Sequence, residues 1–187
     1  MKILVIDNYD SFVYNLVYIL KSFTNVNVTI AKNDKIDVDA IKNYDKILLS
    51  PGPGIPKDAG IMPELIKKYA STKSILGVCL GHQAIGEAFG ATLYNLPEPF
   101  HGIASAIYKT QNDYLFNNIN NDFIVGHYHS WIVKNNNSSS IEILAKDTND
   151  NIMALKHIDY DVRGVQFHPE SILTPNGYQI IKNWVNN

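Results

Sequence analysis

The pattern of apolar residues in this 187-residue sequence predicts an α/β fold, doubly wound, with a mainly parallel central sheet and flanking antiparallel strands. In the first half of the chain, short β-branched runs alternate with apolar residues at helical spacing, which is typical of crossover helices between parallel strands. After Gly90 the runs become strand-like and are separated by short polar turns, which favours antiparallel pairing. The length suits one domain with a substantial core, so we predict a single domain over residues 1–187.

The first half of the chain supplies the predicted parallel strands and the helices between them. Its first unit is βαβ: a buried strand at Lys2–Asp7, apolar residues at near-helical spacing from Phe12 to Phe23, and a second strand at Val26–Ala31. The alternation continues with a short helix at Ile36–Asn43, a strand at Lys46–Ser50, a helix at Met62–Tyr69, a strand at Ser74–Val78 and a helix that ends near Gly90. This order implies right-handed crossovers and helices on both faces of the sheet.

The second half supplies the predicted flanking strands and a closing helix. The strand-like runs are Thr92–Leu96, Ile103–Tyr108, Phe123–Val133, Ile141–Ala145, Ile152–Lys156 and Val162–Phe167. A helix around Tyr178–Trp184 follows them. The asparagine-rich segments Asn117–Asn121 and Asn135–Asn137 are predicted surface loops, because asparagine favours neither helices nor strands.

Composition argues against several classes of function. The 18 acidic and 16 basic residues give a formal net charge of -2, so no field draws the surface toward nucleic acid or an anionic membrane. No apolar run approaches the roughly 20 residues that span a bilayer, and the run at Lys2–Asp7 is too short for the core of a signal peptide. One cysteine cannot form an intramolecular disulfide, so the cytoplasm is the expected compartment.

Cys79 is the candidate nucleophile. It lies in Gly77-Val78-Cys79-Leu80-Gly81, where a predicted buried strand runs directly into a helix. This pattern is the thiol form of a nucleophile elbow, in which the turn lifts the side chain clear of the sheet and the helix N-terminus favours a thiolate. A lone cysteine is more often an inert core residue, but the paired glycines favour the catalytic interpretation.

His168 is the candidate proton shuttle for that thiol. In His168-Pro169-Glu170, the proline favours extended geometry for the histidine, so that residues two apart project to the same side. Glu170 is therefore predicted to hold one ring nitrogen and leave the other for the thiol. Without the elbow, the same tripeptide would be interpreted as a polar strand end before a turn.

The other histidines have weaker claims to a function. His127 and His129 are two apart in a predicted strand, and with His101 they could resemble a zinc site, but no carboxylate or cysteine completes a ligand pattern. We therefore predict no metal. His82 is expected to pack or cap near the elbow, and His157 is expected at a solvated strand end.

The segment Ser50-Pro51-Gly52-Pro53-Gly54 follows a predicted strand and is expected to form a fixed loop that presents backbone N–H groups. In a parallel sheet, this loop and the Cys79 elbow lie at the same carboxyl edge, where ligands normally bind. Phosphate and dinucleotide motifs do not match, because no Gly-Lys-Ser/Thr follows and a third glycine is absent. An ordinary turn is the alternative interpretation.

Three separate motifs in this sequence resemble those of the class I, triad-type glutamine amidotransferases, in family order. They are Pro51-Gly52-Pro53-Gly54, Gly77-Val78-Cys79-Leu80-Gly81-His82-Gln83 and Gly164-Val165-Gln166-Phe167-His168-Pro169-Glu170-Ser171. The resemblance spans almost the whole chain and implies the flavodoxin-like fold of that family. It further implies hydrolysis of glutamine by a Cys-His-Glu triad, with no metal and no cofactor in this subunit.

Asp7-Asn8-Tyr9-Asp10-Ser11-Phe12 resembles the chorismate branch of the family, which contains anthranilate synthase component II and the aminodeoxychorismate synthase amidotransferase. Tyr128-His129-Ser130 and Ile172-Leu173-Thr174 with Gly177 are similar to the same branch. Two positions depart from it: Ile103 stands where lysine is usual, and Trp131 where leucine is usual. The resemblance implies a chorismate-binding synthase subunit as partner, namely component I of anthranilate synthase or of aminodeoxychorismate synthase.

The resemblance also implies roles for individual residues. Cys79 is the implied nucleophile, His168 the acid and base, and Glu170 the group that orients it. The implied glutamine and oxyanion contacts are Gly52, Pro53, Gly54, Leu80, Gln83, Ser130 and Trp131, with backbone N–H groups of Gly54 and Leu80 as the oxyanion donors.

Two other functional classes remain as alternatives. One is a stand-alone γ-glutamyl cysteine hydrolase that uses the same elbow on another amide, against which the Asp7–Phe12 motif argues. The other is a non-catalytic interaction domain, which would have no reason to keep Cys79, His168 and Glu170 together. The sequence does not choose between anthranilate and aminodeoxychorismate as the final product, because the partner's active site makes that choice.

Overall fold

Nine strands and four α-helices make up the structure, a computed structural model that describes residues 1–187. The strands are β1 (Lys2–Asp7), β2 (Asn27–Lys32), β3 (Lys46–Leu49), β4 (Ser74–Val78), β5 (Thr92–Lys109), β6 (Asp122–Lys134), β7 (Ile141–Asp147), β8 (Ile152–His157) and β9 (Val162–Val165). The helices are α1 (Val13–Lys21), α2 (Met62–Tyr69), α3 (Leu80–Ala88) and α4 (Gly177–Asn186). Short 3-10 turns occupy Val38–Asn43, Pro56–Asp58 and Tyr114–Phe116.

All nine strands belong to one sheet, in the order β2-β1-β3-β4-β9-β8-β7-β5-β6. The first five strands in this order are mutually parallel, and the remaining four continue the sheet with antiparallel pairing. The predicted α/β class with flanking antiparallel strands is confirmed. One strand differs from its expectation: β9 follows the antiparallel strands in sequence, yet it pairs parallel to β4 near the centre of the sheet.

Helices cover both faces of the parallel half, as a doubly wound fold requires. On one face, α1 and α4 bury Leu16, Leu20 and Trp184 against Ile3 and Val5 of β1. On the opposite face, the apolar stripes of α2 and α3 pack against alternate residues of the same strands. Because successive strand residues point to opposite faces, each strand contributes to both cores, which explains its continuous apolar sequence.

The two predicted strands after Gly90 form one long bent strand, β5. Its pairing with β6 is interrupted between Asn95 and Phe100 and again between His101 and Ile103. Pro97 and Pro99 lie within the first interruption, and a proline cannot donate to a strand ladder.

The predicted helix at 36–43 also differs from its expectation, since the structure has a 3-10 turn there, over Val38–Asn43.

The carboxyl ends of four adjacent parallel strands meet at one edge of the sheet. Asn8 follows β1, Ser50 follows β3, Cys79 follows β4 and Gln166 follows β9. In open α/β sheets this edge is where ligands bind. No helix of the structure has the length and apolar character needed to cross a membrane.

Candidate active site

Cys79 forms a strained turn between β4 and α3. Its backbone has φ 51° and ψ -100°, an uncommon conformation for a residue with a side chain. A Cβ on Gly77 would lie 2.4 Å from the Gly81 carbonyl carbon, and one on Gly81 would lie 2.5 Å from the Leu49 oxygen. The two glycines thus permit close packing, while the cysteine itself carries the backbone strain that fixes its thiol at the sheet edge.

His168 and Glu170 form a buried pair beside the thiol. His168 Nδ1 and Glu170 Oε1 lie 2.7 Å apart, and the two side chains are 3% and 0% exposed. The His168 amide donates to the Gly126 oxygen at 3.0 Å, and the Thr174 hydroxyl donates to the His168 oxygen at 2.6 Å. The Gly126 carbonyl of β6 and the Thr174 hydroxyl therefore hold the backbone of His168 in place, and Glu170 holds its ring.

The electrostatics of His168 favour its protonated form. Burial lowers the pKa of His168, but the neighbouring Cys79 thiol and the Glu170 carboxylate outweigh burial and raise it to about 10. Nε2 makes no hydrogen bond of good geometry within the protein, whereas Nδ1 is held by Glu170. The ring thus keeps one nitrogen for proton exchange, which is the arrangement a thiol nucleophile needs.

A cavity of about 430 Å³ opens directly onto Cys79 and His168. Most of the predicted contact residues line it together: Gly52, Pro53, Gly54, Gln83, Ser130 and Trp131. Glu170 lies behind His168 rather than on the cavity wall, and the Leu80 side chain is buried against Gly52 without lining the cavity. As the first residue of α3, Leu80 has a backbone N–H without an intrahelical partner, which suits an oxyanion donor.

The loop after β3 is held against the cavity by the residue after β1. Asn8 donates from its side chain to the Ser50 oxygen at 2.8 Å, and its backbone N–H donates to the Ser50 hydroxyl at 2.9 Å. Asn33 donates to Asn8 Oδ1 at 3.0 Å, which completes a buried network. A Cβ on Gly52 would lie 2.5 Å from the Asn8 Cβ, so only glycine fits at this contact.

Several residues that line the cavity were not predicted as contacts of glutamine. Tyr9, Asp10, Ser11 and Phe12 form one wall, and Pro51, His101, Tyr128 and His129 complete the lining. Gln166 was not predicted as a site residue, although its side-chain nitrogen lies 3.7 Å from the Cys79 sulfur. The sequence did contain a signal for this residue. Residues two apart in an extended segment project to the same side, and Gln166 precedes His168 by two positions just as His168 precedes Glu170.

The remaining histidines have structural surroundings. His127 Nδ1 and His129 Nε2 lie 3.2 Å apart, and burial lowers their pKa values to about 4 and about 3. Burial likewise lowers the pKa of His82 to about 4; the nearby Gly164 backbone offsets this slightly, but neither ring nitrogen makes a hydrogen bond of good geometry. The expectation for His157 was wrong: it ends β8 but is buried, stacked on Tyr160.

Comparison with known proteins gives consistent matches over the whole chain. The model of the family described as "Glutamine amidotransferase class-I" matches residues 4–187. Two proteins described as anthranilate synthase component 2, from Pyropia yezoensis and Porphyra purpurea, are 45% and 44% identical, and each alignment covers 98% of both chains. A solved glutamine amidotransferase from Thermotoga maritima shares the fold with a TM-score of 0.76 at 14% identity, over 100% of this chain and 81% of that chain.

Proposed function

The chain belongs to the class-I glutamine amidotransferase family, and we propose that it is the glutamine-hydrolysing component of an anthranilate synthase. In that role it frees ammonia from glutamine and passes it to a chorismate-binding synthase subunit. The observation that carries the proposal is the strained Cys79 at the floor of a cavity, beside a histidine that Glu170 holds at 2.7 Å. The relatives described as anthranilate synthase component 2 support the choice of partner.

In the first half of the proposed reaction, the Cys79 thiolate attacks the side-chain carboxamide carbon of glutamine. A carbon–sulfur bond forms, and the carbonyl oxygen becomes an oxyanion that the N–H groups of Leu80 and Gly54 stabilise. Removing one donor of this kind typically costs about 3 to 4 kcal/mol of transition-state stabilisation. His168 then gives its proton to the departing nitrogen, the carbon–nitrogen bond breaks, and ammonia leaves a glutamyl thioester behind.

In the second half, water adds to the thioester and returns the enzyme to its starting state. His168 accepts a proton from the water as the new carbon–oxygen bond forms. The carbon–sulfur bond then breaks, glutamate leaves and the cysteine recovers its thiolate, while Glu170 stabilises the imidazolium that forms when His168 takes up the proton. Every atom and proton in this sequence comes from glutamine, water and the triad, so we propose that the subunit works without a metal or cofactor.

The α-amino and α-carboxyl end of glutamine is assigned to the wall of the cavity that contains Gln83, Ser130 and Trp131. Gln83, Ser130 and Trp131 lie there together, and the Gln83 amide donates to the Trp131 oxygen at 3.0 Å. Gly52 and Pro53, which belong to the loop after β3, line another side of the cavity. The lone thiol of this mechanism requires a reducing compartment, which is consistent with the cytoplasm.

The decisive experiment compares glutamine with ammonia as nitrogen donor in the complex with a synthase subunit. Cys79→Ala should abolish glutamine-dependent product formation and leave ammonia-dependent synthesis intact, because the nucleophile is lost and the acceptor chemistry is not. Ser139→Ala, an exposed change without a hydrogen-bond partner, is the matched control. A variant lacking Cys79 that still uses glutamine contradicts the assignment.

The partner's identity is tested in the same assay. Anthranilate should appear when the chain is mixed with anthranilate synthase component I, chorismate and glutamine. Aminodeoxychorismate formation with the other synthase alone would instead place the chain in the folate branch, and activity with both would make it a shared subunit. Diazo-oxo-norleucine, an electrophilic glutamine analogue, should label Cys79, as checked by peptide mapping.

A further inference from the structure

Gln166 forms a direct polar link between the nucleophile and the far wall of the cavity. Its side-chain Nε2 donates to the Cys79 sulfur at 3.7 Å, and its Oε1 accepts from Gln83 Nε2 at 3.2 Å. The residue is fully buried, with 0% exposure. The proposed mechanism gives it no role, yet it contacts the atom that attacks the substrate.

The direction of this amide is fixed by its neighbours. Gln83 Nε2 donates to the Trp131 oxygen, which cannot donate back, so the nitrogen of Gln83 must lie on that side. The same nitrogen donates its other hydrogen to Gln166, which therefore presents oxygen to Gln83 and nitrogen to Cys79. Reversing the Gln166 amide would place two donors against each other, so an N–H faces the sulfur.

The backbone also holds Gln166 in position. Its N–H donates to the Met153 oxygen at 2.8 Å, and the Cys79 N–H donates to the Val165 oxygen at 2.8 Å. Side chains two apart in extended chain point the same way, so Gln166 and His168 both face the thiol while Phe167 enters the core. Two adjacent parallel strands thus deliver the donor and the nucleophile to one point.

We propose that Gln166 is a further catalytic residue, whose amide N–H stabilises the Cys79 thiolate and holds it in position to attack. This inference rests on the proposed function, in which Cys79 is the nucleophile. Hydrogen bonds to a charged acceptor are stronger than those between neutral groups, so the contact favours the thiolate over the thiol. Gln83 aligns the Gln166 amide, which links the substrate-binding wall to the reactivity of the sulfur.

The test measures the rate of Cys79 alkylation by iodoacetamide as a function of pH, in the intact chain without substrate. Gln166→Met keeps the length of the side chain and removes the donor. The midpoint of its pH profile should rise by about one to two pH units, with at least about tenfold slower alkylation near pH 7. Gln111→Met, an exposed change in a turn, is the matched control and should keep the original profile.

Gln83→Met extends the test to the alignment of the amide. Because no glutamine is present, a role in substrate binding alone predicts no effect on alkylation, whereas loss of the alignment raises the midpoint by a smaller amount. The other titratable groups that face the cavity are Tyr9, Asp10, His101, Tyr128, His129 and His168, and none is altered in these variants. Unchanged profiles in both glutamine variants would overturn the proposal.

A measurement on the unaltered chain keeps the test valid if Gln166→Met does not fold. The side-chain amide signals of Gln166, observed by ¹⁵N NMR, should shift with pH in step with alkylation and stop doing so in Cys79→Ala. Signals that ignore the titration contradict the contact. Failure of the proposed function gives a different result, since Cys79→Ala would then still hydrolyse glutamine.

Discussion

Glu170 acts on the imidazole of His168 and has no access to the cavity. Glu170→Gln should therefore lower kcat less than His168→Ala, because an amide can still hold the ring although it no longer stabilises the imidazolium charge. Steady-state glutaminase assays of the two variants in the synthase complex measure the difference. Equal losses would indicate that another group serves as the base.

His82 is the matched control for this comparison, since it is the histidine three residues beyond Cys79 on α3. It is fully buried and does not line the cavity. His82→Met should fold and keep most of the activity. If it lost as much activity as His168→Ala while remaining folded, the proton shuttle would be assigned to the wrong residue.

Local sequence patterns singled out Cys79, His168 and Glu170 because the immediate neighbours of each residue determine its local geometry. The two-residue period of an extended segment places Glu170 on His168, and glycines on both sides of Cys79 permit the turn. Gln166 escaped prediction because its function depends on a neighbour 87 positions away in the sequence. The burial of His157 was not predicted for a similar reason, since it depends on packing with Phe89 and Tyr160.

At the scale of elements, the loop after β3 is fixed at one end and open at the other. Gly52 is confined by Asn8 and Leu80, whereas a Cβ on Gly54 would have no neighbour within 4 Å. Asn8→Ala should release the fixed end and lower kcat. It should also reduce the free energy of unfolding by about 1 to 3 kcal/mol, because the buried Ser50 oxygen loses its donor. Urea unfolding and glutaminase kinetics measure the two effects.

Asn33→Ala provides the control, since it removes one hydrogen bond to Asn8 and leaves both contacts with Ser50. It should have a smaller effect on kcat than Asn8→Ala at comparable stability. If the two variants lost stability equally and kept full kcat, Asn8 would have a purely structural role.

The order and type of the elements could be predicted well where periodicity is strong, as for β1, α2 and β4, whose bounds match the expected ones. The continuity of β5 could not be predicted, because its two apolar runs are joined by a proline-containing stretch whose sequence is typical of a turn. The parallel pairing of β9 also depends on a partner strand far away in sequence, which no local pattern records.

At the scale of the whole molecule, buried histidines make stability depend on pH in two opposite ways. The pKa values of His82, His127 and His129 are lowered by burial to about 4, about 4 and about 3. Between these values and about 6.5 the unfolded chain binds more protons, so the free energy of unfolding falls as pH falls. His168, with its pKa raised to about 10, contributes fully below about 6.5 and loses its contribution as pH rises toward 10.

The free energy of unfolding should therefore be highest near neutral pH and fall on both sides. Urea unfolding across the range from acid to alkaline pH, at constant ionic strength, measures the profile. His82→Met should flatten the acid side only, and His168→Ala should flatten the alkaline side only. A wild-type profile that rose steadily toward acid pH would contradict the assignment of neutral buried histidines.

Association with a synthase is expected to control the reaction of the whole assembly. An isolated glutaminase would release ammonia with no acceptor, so we expect the free chain to be slow and a chorismate-bound synthase to raise glutamine turnover by at least about tenfold, roughly 1.4 kcal/mol. The open Gly54 end of the loop gives the partner a backbone donor to align with the oxyanion. Assays of the chain alone, with synthase, and with synthase plus chorismate measure the coupling, and full activity of the free chain would refute it.

The late position of β9 in the chain has a consequence for biosynthesis. Residues 162–165 fill the gap between β4 and β8, so a nascent chain that contains β8 but not yet β9 leaves the facing edges of β4 and β8 unpaired. Such edges are prone to intermolecular pairing, and long-range pairing of this kind is slow to form. His168 and Glu170 follow shortly after β9, so the proposed triad is brought together only when the last gap in the sheet closes. We therefore expect a growing polypeptide to be unable to hydrolyse glutamine before its own folding is nearly finished.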